Sequence, residues 1–138
     1  MNDRLQKIGD YAFGNCSSLE SVTLPHTVTE IGSCAFLNCS NLREVIFNEG
    51  LQKIGKSAFS YCTSLQSFTL PSTLVEIGNY AFLGCINLKE VTLNDGPQKI
   101  GYRAFRNCKS LETITLPSTV TEIGDSAFFG CGNLKEVH

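Results

Sequence analysis

Seven cysteines and thirteen carboxylates are the side chains in this sequence with chemistry to offer, and their spacing decides which chemistry is open to them. Six of the cysteines, Cys16, Cys39, Cys62, Cys85, Cys108 and Cys131, stand 23 residues apart. A thiol can bridge to another thiol, hold a metal, or attack a substrate as the thiolate. Structural metal sites draw on clustered ligands such as a C-x-x-C pair, which this spacing lacks. Nucleophilic catalysis needs a base and an orienting carboxylate beside the nucleophile. Only His26 and His138 are present, and no nucleophile, base and carboxylate recur together. His26 takes a turn position held by Ser72 and Ser118 elsewhere, and reads as a solvated turn residue. The glycines do not form a phosphate loop. No enzyme, no metal and no cofactor is expected. Asn15-Cys16-Ser17 and Asn38-Cys39-Ser40 fit the glycosylation pattern. They overlap the cysteine column and are lost in other units, so the match reads as chance.

Bulk composition excludes more. With 42% apolar and 17% charged residues the chain should fold rather than stay disordered, and 138 residues suit one domain. The net charge of −2, with Lys and Arg scattered, gives no nucleic-acid footprint. No apolar run is long enough for a transmembrane helix, so no membrane insertion is expected. The opening residues carry no apolar signal region.

The element that positions the cysteines is a repeat. An Ile-Gly pair begins at Ile8, Ile31, Ile54, Ile77, Ile100 and Ile123, always 23 residues apart and without insertion. An Ala-Phe pair keeps step, its aromatic at Phe13, Phe36, Phe59, Phe82, Phe105 and Phe128, as does a leucine at Leu19, Leu42, Leu65, Leu88, Leu111 and Leu134. The stretch Leu19 to Leu24 alternates apolar and polar residues, as a half-buried strand does. Pro25, Pro71 and Pro117 end it in alternate units, and Asn48-Glu49-Gly50 and Asn94-Asp95-Gly96 supply turns in the others. Thr29 to Ile31 predicts a second, shorter strand. The Ala-Phe segment predicts a single helical or 3₁₀ turn. The Gly after each Ile implies a positive φ or close backbone packing.

One such unit cannot bury its own apolar face, but stacked units can, in continuous columns of Ile, Phe, Cys, Leu and Val. Strands in such a stack lie about 4.8 Å apart. The cysteine Cα atoms then fall inside disulfide range, but their Cβ vectors run parallel, which disfavours bridging. The six thiols therefore read as small buried apolar groups. Cys34 stands outside that column, at a position held by Tyr11, Ser57 and Tyr80, and is expected to be more exposed.

A second period of 46 residues overlies the first. The residue before each Ile-Gly pair runs Lys7, Glu30, Lys53, Glu76, Lys99, Glu122. Identical units would stack like charges about 5 Å apart, at roughly 0.8 kcal/mol per pair even in water. Pro25, Pro71 and Pro117, and Asn2, Asn48 and Asn94, follow the same alternation. Both a charge-alternating ladder and recent duplication of a two-unit block account for it. The chain then divides into blocks of about 2–47, 48–93 and 94–138 within a single domain.

The run Leu-x-x-Val-x-Leu-Pro-x-x-Val-Thr-x-Ile-Gly-x-x-Ala-Phe-x-x-Cys, from Leu19 to Cys39, resembles the BspA-type leucine-rich repeat, and the similarity covers the whole chain. The resemblance implies a β-dominated α/β fold, a right-handed solenoid with a curved parallel sheet on its concave side. It implies a surface or secreted microbial parent protein with adhesive or protein-binding roles, the partner being a protein or a glycan. Pro97 departs from the pattern, standing where other units carry Leu5, Val28, Leu51, Leu74 or Val120, and is expected to weaken packing or pairing there.

Two surfaces suit a partner. The concave strand face presents Arg43, Glu44, Ile46, Gln66, Thr69, Lys89, Glu90, Thr92, Glu112 and Thr115, polar apart from Ile46, which interrupts a threonine column. The turn after each Phe carries Leu37, Leu83 and Phe129 in alternate units, with Tyr61, Tyr80 and Tyr102 nearby. These form an apolar patch if exposed, and otherwise tuck over the flank. Neither end of the sequence reads as a polar cap, so a fragment of a longer array, or an engineered one, is expected, with end-to-end homo-association. A purely structural array and an intracellular scaffold are the competing functions.

Overall fold

The structure, a computed structural model, describes residues 4–137; Asn2 and His138 lie outside them. Twelve short strands follow in order: β1 (Lys7–Ile8), β2 (Ser21–Thr23), β3 (Glu30–Ile31), β4 (Glu44–Ile46), β5 (Lys53–Ile54), β6 (Ser67–Leu70), β7 (Glu76–Ile77), β8 (Glu90–Leu93), β9 (Lys99–Ile100), β10 (Thr113–Ile114), β11 (Glu122–Ile123) and β12 (Glu136–Val137). Each repeat thus supplies one two-residue strand and one of two to four residues, as the alternation and the Thr-x-Ile pattern predict. The two-residue strands form one unbroken six-stranded parallel sheet, β1-β3-β5-β7-β9-β11. Equivalent residues lie opposite each other, Ile8 against Ile31 and Ile31 against Ile54. The second set forms the long-strand face, the one expected to be concave. It divides into a two-stranded sheet, β2-β4, and a four-stranded sheet, β12-β10-β8-β6.

The expected helical turn is absent among the described residues, and the backbone shows why. From Gly9 to Leu19 the chain makes linked β-turns. Ala12 N–H donates to Gly9 C=O at 3.2 Å, Gly14 to Tyr11 at 3.0 Å, and Cys16 to Phe13 at 3.2 Å. Between them, Tyr11, Phe13 and Asn15 donate outward, to Ser33, Ala35 and Leu37 of the next repeat at 2.7–2.9 Å. A helix spends every amide along its own axis; here alternate amides hold the stack together. The turns close through left-handed residues, with φ of 58° at Tyr11 and 60° at Asn15, and the same two columns repeat this up to Ser126 and Gly130. A left-handed L-residue costs roughly 1–2 kcal/mol and breaks helix continuity. The inter-repeat bonds offset that cost.

The core is a set of parallel ladders. Phe13, Phe36, Phe59, Phe82, Phe105 and Phe128 stack face to face, with centroids 5.0–5.5 Å apart and planes within 12°. Beside them each thiol of the column from Cys39 to Cys131 donates to a phenylalanine carbonyl of the preceding repeat, Cys62 to Phe36 and Cys85 to Phe59 at 3.2 Å. None of the six glycines after an Ile has a positive φ, and from Gly32 on they are there for close approach to the preceding repeat. A Cβ on Gly55 would lie 2.8 Å from the Ile31 carbonyl oxygen and 2.9 Å from the Ser33 nitrogen. At Pro97 the expected weakening is confined to one turn bond. The proline is buried, and β9 still pairs with β7. The turn bond that Leu51 and Leu74 donate to Asn48 and Pro71 has no counterpart there, because proline has no N–H.

Candidate functional site

The pleat of the long strands sets the geometry of the predicted surface. In β2 and β4 the middle residue, Val22 or Val45, points into the core and its neighbours point out. The register stacks the outward residues: Ser21 against Glu44, Thr23 against Ile46, Ser67 against Glu90 and Thr69 against Thr92. Arg43, Glu44, Ile46, Gln66, Thr69, Lys89, Glu90, Thr92, Glu112 and Thr115 are all exposed and share this one face. Arg43 donates to Glu20 of the preceding repeat, an ion pair of two exposed side chains and so of small energetic value. Lys89, stacked between Gln66 and Glu112, has no carboxylate within ion-pair distance among the described residues. Ile46 is 50% exposed, the apolar exception in a polar column.

A depression on this face lies where the two long-strand sheets part. A groove of about 400 Å³ is lined there by Arg43, Glu44, Ile46, Gln66, Thr69 and Glu49. Phe47 lines its floor, with the buried Phe68 ring behind it at 5.6 Å, edge to face. Sequence reasoning named most of the rim and missed the cause. The signal was present: Phe47 stands in a column of Leu24, Leu70, Leu93 and Leu116, and Phe68 in a column of Val22, Val45, Val91 and Ile114.

The second predicted surface is less continuous. Leu37 and Leu83 are half-buried on the flank, while Phe129 is 60% exposed. In this column Ser60, which is buried, separates Leu37 from Leu83, and Arg106 separates Leu83 from Phe129. The Arg106 guanidinium lies over the Phe129 ring at 5.1 Å. Tyr61 is exposed, whereas Tyr80 and Tyr102 are half-buried and meet edge to face at 5.6 Å.

The charge ladder of the two-residue strands forms as spaced. Lys7 lies 2.9 Å from Glu30, and Glu76 sits between Lys53 at 4.0 Å and Lys99 at 3.7 Å. The hydrogen bond and charge of Glu30 raise the Lys7 pKa. The cysteines are all free thiols. Burial pushes the Cys62 and Cys131 thiols up to about 12, and Cys85 well above its ordinary value. Such thiols give almost no thiolate near neutral pH and make poor nucleophiles. Cys34 is half-buried, more open than its neighbour Cys39, as expected. Its hydrogen bond with Tyr11 raises the Tyr11 pKa. Among the described residues no group of three His, Cys, Asp or Glu side chains is placed to hold a metal ion. No helix among them is long and apolar enough to cross a membrane.

Comparison with known proteins follows the geometry. A family description, the BspA type leucine-rich repeat region, matches residues 1–102. The crystal structure of the T. pallidum leucine-rich repeat protein TpLRR superposes with a TM-score of 0.84 at 30% identity, over 96% of this chain and 72% of that one. A leucine-rich cell surface protein from Faecalibacterium prausnitzii gives 0.72 at 33% identity, over 96% of this chain and 42% of that one. The pneumococcal vaccine antigen PcpA gives 0.83 at 27% identity. This chain spans 35% of that antigen, so it matches only a part of the longer relatives. No curated protein matches significantly.

Proposed function

Since the chain belongs to the BspA-type leucine-rich repeat family, we propose that it is a non-catalytic interaction module of a cell-surface or secreted protein, binding a protein or glycan partner through its long-strand face. One observation carries the reading: ten exposed side chains, drawn from four repeats, lie on or beside the long strands whose register stacks equivalent positions within each of the two sheets. A rigid scaffold presenting a broad polar surface suits recognition spread over many weak contacts. The similarity to a protein described as a leucine-rich cell surface protein supports the setting. The test is binding to arrays of extracellular proteins and glycans by the wild-type chain and by Arg43→Glu with Lys89→Glu. Ligands that bind the wild type and lose at least roughly tenfold in affinity to the double variant support the face. Captured ligands held equally by both refute it.

A second reading, end-to-end self-association of this chain, has its own support. Ile123 is 45% exposed, while Ile31, Ile54, Ile77 and Ile100 of the same column are fully buried. A second chain stacked there in phase would bring Lys7 onto Glu122, continuing the charge alternation. Light scattering over a range of concentrations tests it. A strictly monomeric species at high concentration refutes it.

A further inference from the structure

The turn flank, the segment of each repeat between its Ile-Gly pair and the leucine column, has a charge opposite to that of the rest of the chain. It holds four cations, Lys56, Arg103, Arg106 and Lys109, against two carboxylates, Asp10 and Asp125, on a chain whose net charge is −2. These cations also differ in their partners. Lys7, Arg43, Lys53 and Lys99 are paired with glutamates, whereas none of the four on the flank has a carboxylate within ion-pair distance among the described residues. Asp10, in the first repeat, accepts the Ser33 amide at 2.9 Å, and Asp125 meets Arg103 only through its backbone carbonyl, at 3.1 Å. Three of the four cations lie against aromatic rings instead. Lys56 Nζ is 6.0 Å from the centre of the Tyr80 ring, and the guanidiniums of Arg103 and Arg106 lie over Tyr102 at 4.7 Å and Phe129 at 5.1 Å. Tyr80 and Tyr102 meet edge to face at 5.6 Å, and the Arg106 amide donates to the Arg103 carbonyl at 3.2 Å within one turn. Cations and rings thus alternate along the flank through four successive repeats, from Lys56 to Phe129.

The two guanidiniums are positioned without an acceptor. Nε of each is covered and unpartnered, and neither side chain donates a hydrogen bond among the described residues. A ring face holds the guanidinium plane and leaves its outer N–H groups free to fork onto a carboxylate or sulfate. From this we infer that the turn flank from Lys56 to Phe129 binds an acidic polysaccharide, a chain of pyranose sugars bearing carboxylate or sulfate groups. Such a ligand matches both parts of the surface: its anions suit the guanidiniums, and its C–H faces suit the negative faces of the rings. The repeats stack about 4.8 Å apart, close to the length of one sugar unit, so a chain lying along the flank meets an equivalent position at each step. An extended acidic peptide fits less well, because the turn amides are already spent. Arg103 and Asn107 donate to Asp125 and Phe129 of the next repeat, and Arg106 donates within the turn. The long-strand face contributes none of these residues, so the two surfaces stand or fall separately.

The probes are fluorescent octasaccharides of galacturonate and of heparin, with neutral maltooctaose as the counterpart, read by anisotropy at physiological salt. The wild type should bind at least one acidic octasaccharide and not the neutral one; the tighter of the two acidic probes identifies the preferred anion. Arg103→Glu/Arg106→Glu should lose at least roughly tenfold in affinity. Arg43→Glu/Lys89→Glu makes the same change in net charge on the long-strand face and should stay within about twofold of the wild type. Equal losses in the two variants would show attraction to overall charge and overturn the inference, as would no binding of either acidic octasaccharide. A polyglutamate peptide or an oligothymidylate held as tightly as the better octasaccharide also overturns it. If the glutamate variant does not fold, Arg103→Gln/Arg106→Gln decides: a loss of about fivefold supports the inference, and unchanged affinity overturns it.

Discussion

Replacing Phe59 by alanine removes the centre of the aromatic ladder, and its cost should depend on position in a way that only a stack predicts. Phe59 is fully buried, with Phe36 at 5.0 Å and Phe82 at 5.4 Å on its two faces and Phe47 edge-on at 5.6 Å. A buried Phe→Ala change costs about 3–5 kcal/mol, and each aromatic pair lost adds about 0.5–1.5 kcal/mol beyond area. With three ring contacts removed, the loss should sit near the top of the first range, at about 5 kcal/mol. Phe128 makes one ring contact, with Phe105 at 5.5 Å, and is only half-buried. Its replacement by alanine should cost about 2 kcal/mol. In urea, with a slope of about 2 kcal/mol per molar, the midpoint should fall by about 2.5 M for Phe59 and about 1 M for Phe128. Where Phe59→Ala leaves too little folded protein to measure, Phe59→Leu keeps the apolar contact, loses the ring stacking, and should cost about 1–2 kcal/mol. Equal losses at the two positions would refute the reasoning, because a nearest-neighbour stack must feel an internal break at two interfaces and a terminal one at a single interface.

The remaining predictions concern the other columns. Cys62 and Cys85 should resist an aromatic disulfide reagent near pH 8 until the protein unfolds, while Cys34 reacts in the native state; native reaction of Cys62 at the rate of Cys34 would contradict the burial. The Cys62 pKa is raised by burial from 9.0 to about 12 in the folded state, so folding favours its protonated form. The stability this contributes is present in full below pH 9 and is lost as pH rises toward about 12, which a denaturation series across that range checks. Gly55→Ala should destabilise by about 2–3 kcal/mol, because its Cβ meets backbone atoms of Gly32, Ile31 and Ser33 within 2.9 Å. Gly9→Ala, with nothing within 4 Å, should be neutral or gain up to about 1 kcal/mol; similar losses at both in thermal melts would remove the close-approach account. Lys53→Glu aligns a third carboxylate with Glu30 and Glu76, and should cost about 1 kcal/mol, shrinking as salt is added; a loss unaffected by salt would point away from charge.

How much of this was legible in the sequence divides by scale. Repeat length, both strands, the core columns and the exposed face followed from spacing, because each residue is placed by the same two neighbours. The Ala-Phe turn was misread because two apolar residues in a compact segment suit a helical turn, while the deciding fact is where alternate amides go. Tyr11, Cys34 and Arg103 share a left-handed position, and nothing in their side chains advertises it. The related column is more candid: Asn15, Asn38, Asn107, Gly84 and Gly130 are the types that tolerate positive φ, interrupted only by Tyr61. The parting of the long-strand sheets was hidden differently. Phe47 and Phe68 keep the apolar pattern and so pass as conservative variation, yet they stand side by side in the stack, where their added volume acts together.

The 46-residue alternation illustrates why a weak interaction can still shape a repeat protein. Each exposed Lys–Glu contact contributes roughly 0–1 kcal/mol, too little to hold the stack. Glu30, for instance, reaches only Lys7. The alternative arrangement is what matters. A single 23-residue unit copied without change would line up one charge at every step, and five like-charge steps at about 5 Å would cost about 4 kcal/mol in total. That is a large share of the stability of a small domain. A two-unit block removes the repulsion without needing any pair to be strong. Glu76, set between Lys53 and Lys99, therefore serves less as a bond than as a spacer between two cations that would otherwise face each other. Duplication explains how such a block spreads along a chain, and repulsion explains why the block that spreads holds two units.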